Sequence, residues 1–178
     1  MYSKAKIGGH PIHPKLVAFP ITFYFLTVFG FVAYQIRPDV FWFKLAYFSN
    51  FAAIATALVA AVPGIIDWAL GVPKKTTARK HGLIHMILNF ATLGIFAING
   101  YLIWGSWNAP VVGVETNILL TTFGALIVMA AAYYGWDLVG YHKVGVDMST
   151  EQERLQEQYE REMPFVPSKE KRPPSMFH

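Results

Sequence analysis

Residues 16–36 read LVAFPITFYFLTVFGFVAYQI, with no Asp, Glu, Lys or Arg between Lys15 and Arg37. A helix that crosses the hydrocarbon core of a bilayer needs about 20 such residues. The same exclusion of charge recurs between Lys44 and Asp67, between Lys80 and Glu115, and between Glu115 and Asp137. The chain therefore reads as an all-α integral membrane protein, a four-transmembrane-helix up-down bundle with a short tail helix.

Composition agrees. Of 178 residues, 54% are hydrophobic and only 15% charged, too apolar for a soluble domain of this length. Cysteine is absent, which excludes disulfides, thiolate zinc sites, thiolate iron–sulfur ligation and c-type haem attachment. The net charge of +4 sits in loops and tail, so topology explains it and no nucleic-acid partner is needed. Residues 1–15 carry lysines and two His-Pro pairs instead of an apolar core with a small-residue cleavage site, so they are not a cleavable signal.

Along the chain, helix one is expected from about Leu16 to Ile36, with Pro20 near its start. Helix two runs from about Lys44 to Leu70, is rich in Ala, and is interrupted by Pro63-Gly64, where a kink and a partly free Val59 carbonyl are expected. Helix three starts near Arg79 or Lys80 and ends near Trp104; helix four covers about Thr116 to Gly140. Thr150 and Glu153 spell a capping box, and Leu155, Tyr159 and Met163 recur every four residues, so a short amphipathic helix is expected over 150–162. Three segments result: 1–15 with its His-Pro pairs, the membrane domain 16–148, and the tail 149–178. Lys4, Lys6, Lys15, Lys74, Lys75, Arg79, Lys80 and Lys143 lie at one face, against Arg37 and Lys44 at the other, so both termini are expected in the cytoplasm.

Folding four helices up and down gathers the chemistry at one end. His10 and His13 precede helix one, Asp67 ends helix two, Arg79, His81 and His85 begin helix three, and Asp137 and His142 end helix four. The other end carries no histidine. His81, His85 and Asn89 are spaced by four and share one helix face, continued by Thr92 and Asn99. Polar groups at depth are costly unless they face the bundle interior, so the ridge should point inward. For Asn89, Thr92 and Asn99, hydrogen bonding between helices accounts for the residue type. His85 lies about a turn inside the membrane, and His13, held by flanking prolines, is level between a ligand and a rigid interfacial cap; His10 reads as the cap. Asp67 and Asp137 are expected to pair with Arg79, His85 or Lys143, or to form an intramembrane proton or ligand site.

These motifs resemble a family of uncharacterised bacterial membrane proteins, domain of unknown function 2231. The resemblance rests on His10-Pro11-x-His13-Pro14 with Phe19-Pro20, on Pro63-Gly64-x-x-Asp67, on Arg79 with His85 and Asn89, and on Gly135-x-x-Leu138-Val139 leading to His142-x-Val144-Gly145-Val146. It covers about Gly9 to Val146 and implies a multi-pass protein of the bacterial inner membrane. Some family members are fused to Rieske iron–sulfur domains, which implies a redox setting; this chain has no cysteine and no such domain.

The first function these observations suggest is a non-enzymatic subunit of a redox or respiratory complex. It would bind haem b or a quinone near the cytoplasmic face, with His85 as one ligand and His13 or His142 as the other, and with His81, Asn89 and Arg79 beside them. A metal held by His13 and His85, joined by His81 and Asp67, is a variant. The second is a membrane anchor without cofactor, and the third a small metal or proton transporter. Beyond the bilayer, the expected partners are other membrane or redox subunits docked on the tail.

Overall fold

A computed structural model describes residues 3–8, 10–146, 154, 155 and 158. The chain divides into one compact unit ending at Val146 and a tail from Asp147. Of the expected tail helix only Arg154, Leu155 and Gln158 are described, and they are helical; the rest of it lies outside the described residues.

A two-stranded hairpin opens the chain, β1 (Lys6–Ile7) against β2 (His10–Pro11). Then come α1 (His13–Leu16), α2 (Ala18–Ile36), α3 (Val40–Ile66) continuing as a π-helical turn over Asp67–Gly71, α4 (Thr77–Leu102) and α5 (Glu115–Gly140). Four stretches are long and apolar enough to cross a membrane: His13–Ile36, Val40–Gly71, Thr77–Leu102 and Glu115–Gly140. α2 packs on α3 and α5, and α4 on α5 and α3, closing a four-helix bundle built of two hairpins. The bundle exposes Phe29, Val59, Ile98 and Leu119 on its helix faces, the pattern of a protein whose solvent is lipid.

The boundaries differ from expectation at the helix starts, once through a proline in the first turn and twice through capping. The first span begins at His13 instead of Leu16, because Pro14 takes the start of α1, where its fixed φ fits and its missing N–H costs nothing. The second begins at Val40, since Asp39 accepts from the Phe41 N–H at 2.8 Å and caps the helix. The third begins at Thr77, with Thr76 Oγ1 accepting from the Arg79 N–H at 3.2 Å.

Two packed layers fill the interior. Phe31, Phe43, Ala46, Ile103 and Val114 form one cluster, and Tyr24, Ala53, Phe96 and Val128 another. Beside them runs a buried amide chain across three helices. Asn117 donates to Asn99 (2.8 Å), Asn99 donates to Asn50 (2.9 Å), and Asn50 donates to the Phe96 carbonyl (3.2 Å). Asn99 is thus interhelical, as expected; Thr92 bonds Leu88 in its own helix and reaches the Gly124 carbonyl of α5.

Candidate functional site

At the end of the bundle that carries Ser3 and Val146, the two hairpins hold one histidine each in the same way. His13 lies against α3, its Nδ1 2.8 Å from the Ala60 carbonyl. His85 lies against α5, its Nδ1 2.7 Å from the Ala131 carbonyl. A carbonyl only accepts, so each Nδ1 carries the hydrogen, and in the neutral ring Nε2 is the acceptor. The two rings stand perpendicular with centroids 6.2 Å apart.

Each imidazole also rests on a glycine four residues beyond its carbonyl partner. A Cβ added to Gly64 would sit 2.8 Å from His13 Cε1, and one added to Gly135 would sit 2.9 Å from His85 Cε1. The spelling Ala60-x-x-x-Gly64 therefore recurs as Ala131-x-x-x-Gly135. Spacing by four places carbonyl and glycine on one helix face, so a flat ring can lie on the backbone with its N–H on the carbonyl. Pro63 lies within α3 and, having no N–H, cannot donate to the Val59 carbonyl, next to the Ala60 carbonyl that His13 uses.

Between the hairpins lies a cavity of about 410 Å³, lined mostly by apolar side chains, with His13, His85, Asn89, Asp67 and Tyr24 among its walls. Its size is that of an ordinary small-molecule site. Asn89 stays on its own helix: its amide donates to the His85 carbonyl at 2.8 Å and lies 3.2 Å from His85 Nε2. It holds the imidazole and is not a link between helices.

The remaining candidates divide differently from the sequence expectation. Among the described residues, Asp67 is engaged with neither Arg79 nor His85. It accepts from Ser3 Oγ (2.9 Å), the Lys4 N–H (2.6 Å) and the Ala5 N–H (2.9 Å), and so pins the N-terminal segment across the mouth of the cavity. Arg79 points away from the cavity. Its guanidinium donates to the Trp68 (2.8 Å) and Val72 (3.0 Å) carbonyls and lies over the Trp68 ring, while Trp68 Nε1 donates to the Arg79 carbonyl (3.1 Å). Those carbonyls lie at the end of the second span, so Arg79 closes it. His10 is exposed on β2.

His81, Asp137 and His142 form a separate group outside the cavity lining. His81 Nδ1 hydrogen-bonds Asp137 Oδ2, and His142 Nε2 lies 3.6 Å from the same oxygen. Burial pushes the His142 imidazole below its usual pKa, Asp137 works in the opposite direction, and His81 adds to the lowering. The features missed in the sequence are the Ala60 and Ala131 carbonyls and the paired glycine seats. Their signal was the repeated Ala-x-x-x-Gly at one end of two helices.

No curated protein and no solved structure shows a significant match to this chain. A family described as predicted membrane proteins, domain of unknown function 2231, matches residues 9–148, which include the His-Pro segment, all four spans and both histidine groups. The chain belongs to that family.

Proposed function

We propose that the chain is an integral membrane subunit of a redox or respiratory complex whose cavity would hold one haem b, bound by His13 and His85. The observation that carries this reading is the paired imidazole seat. Histidines that bind metal commonly donate their other ring N–H to a carbonyl, which sets the tautomer and aims the free nitrogen. Both histidines have that arrangement, on opposite hairpins, facing one apolar cavity. The two ring centroids stand 6.2 Å apart, within reach of one shared metal. Haem in such a site supplies one-electron transfer. The chain's own residues orient the ligands: Ala60 and Ala131 hold the Nδ1 hydrogens, Gly64 and Gly135 leave room for the rings, and Asn89 gives up His85 Nε2 while keeping the His85 carbonyl.

Protein purified in mild detergent after haem-sufficient expression should show a Soret band and the low-spin reduced spectrum of a bis-histidine haem. His13→Ala and His85→Ala should each remove it. Gly135→Leu should do the same, because its side chain takes the space of the His85 ring. His10→Ala, on the exposed strand, should leave it intact. A colourless protein that is folded and monodisperse overturns the haem reading. The two Nε2 acceptors then favour a quinol, whose hydroxyls they would take; a preparation that binds neither is an anchor.

The Lys and Arg bias supports placing both termini in the cytoplasm, in a bacterial inner membrane. Reporters fused after Met148 should read cytoplasmic, and those inserted within Gly105 to Pro110 external. The reverse pattern moves the site to the outer face. The tail, acidic over 151–162 and carrying apolar Leu155, Tyr159 and Met163, supports docking on a partner subunit.

A further inference from the structure

The α4–α5 hairpin carries a second set of donor atoms, independent of the cavity. His81 stands in the second turn of α4, Asp137 in the last turn of α5, and His142 in the turn that follows. The local fold explains how His142 comes back over Asp137. The N–H groups of Tyr141 and His142 both bond the Asp137 carbonyl at 3.0 Å, and the Val144 N–H bonds the Leu138 carbonyl at 2.9 Å. Lys143 takes a left-handed φ of 54°, which turns the chain at a helix end. His81 arrives from the other side because α4 and α5 pack along their length.

We infer that His81, Asp137 and His142 form a divalent transition-metal site at the end of the α4–α5 hairpin. Three observations support it. One ligand atom from each residue lies within 4.8 Å of the other two, the only such group among the described residues. Metal–ligand bonds of about 2.0–2.2 Å set donors about 3 Å apart, so small side-chain adjustments complete the triangle. Next, among the described residues His142 Nε2 is buried without a hydrogen-bond partner, and a buried nitrogen left so is costly. It lies 3.6 Å from Asp137 Oδ2, a separation that one ion bound to both would span. Finally, the donor set is chemically apt and reachable. Two imidazoles and one carboxylate suit zinc, iron(II) or manganese and leave a coordination position for water. The His81 and Asp137 side chains are 30% and 25% exposed, so an ion has a path from water.

A plain hydrogen-bonded trio would use the same residues to tie two helix ends together, but it leaves His142 Nε2 unsatisfied. The ion satisfies all three groups and cross-links α4 to α5 one helical turn from His85. None of the three ligands belongs to the proposed haem site, so either assignment stands or falls without the other.

The test uses the full chain in detergent, with any affinity tag removed, stripped by chelator and then loaded with zinc or cobalt(II). One zinc per chain should survive gel filtration, and the cobalt form should show the d–d bands of a low-coordinate nitrogen–oxygen site. Asp137→Asn and His142→Ala should each weaken zinc binding by more than about 10-fold, and His10→Ala should not. If the ligand variants fail to fold, the cobalt spectrum of the unaltered chain decides, and a spectrum of the hydrated ion alone overturns the proposal. No retained zinc overturns it too. So does zinc that His142→Ala leaves in place, or zinc released by His85→Ala instead.

Discussion

Gly30→Val is expected to destabilise the bundle by about 3 kcal/mol. Gly30 lies where α2 crosses α3. A Cβ built on it would stand 2.8 Å from the Ala46 backbone nitrogen, 2.9 Å from Ala46 Cβ and 3.0 Å from Ala46 Cα. The obstacle is backbone, so no rotamer change relieves it, and the helices must separate. Phe31, Phe43 and Ala46 surround the crossing and are fully buried, so separation loosens the whole cluster. In lipid this loss is not recovered elsewhere. Helices in a bilayer associate through close packing and not through expulsion of water, which makes the small-residue contact the source of the attraction. Gly30→Ala should cost less, about 1–2 kcal/mol, because one methyl tests only the closest approach. The measurement is an unfolding titration of the refolded protein in detergent or bicelles. An unchanged midpoint for Gly30→Val would show that α2 and α3 do not approach as closely as described.

Helix number was legible because exclusion of charge is a property of the chain in one dimension. Any stretch that crosses lipid must show it, wherever its neighbours sit. Helix starts were less legible: His13 begins its span because Pro14 fits the first turn, and Val40 because Asp39 caps it, and such signals outside the apolar run are easily assigned to the loop. The gathering of histidines at one end was also readable, but their partners were not. His13 and His85 bond backbone carbonyls, and every residue has one, so Ala60 and Ala131 carry no letter that marks them. Asp67 invited pairing with Arg79, twelve residues on, since both are charged. Instead the carboxylate captures backbone N–H groups more than sixty residues away, while the guanidinium goes to carbonyls at the end of its neighbouring helix. In both cases the choice was between a charged side chain and an unsatisfied helix or strand terminus. Termini win where the hairpin already brings them into reach.

Asn99→Ala is the second large effect, at about 2 kcal/mol, and its cause is electrostatic instead of steric. Asn99 is the middle member of the chain Asn117 to Asn99 to Asn50 to the Phe96 carbonyl, and Asn50 and Asn99 are fully buried. Each amide passes a hydrogen in the same direction, so every bond polarises the next and the set acts as a unit. Removing Asn99 deletes two bonds at once. It leaves the Asn117 NH₂ without its acceptor and the Asn50 carbonyl without its donor, among fully buried neighbours. A single interhelical hydrogen bond in a membrane contributes about 0.6 kcal/mol on average, so two lost bonds and two orphaned groups together reach the larger figure. Removing the end of the chain, Asn117→Ala, should cost less, since it orphans only the Asn99 carbonyl. The decisive measurement is the double-mutant cycle. Once Asn99 is gone, Asn117→Ala should cost almost nothing further, because the group it bonds is already absent. Additive losses in the unfolding titration would mean that the three amides act separately and that the bundle is not joined through them.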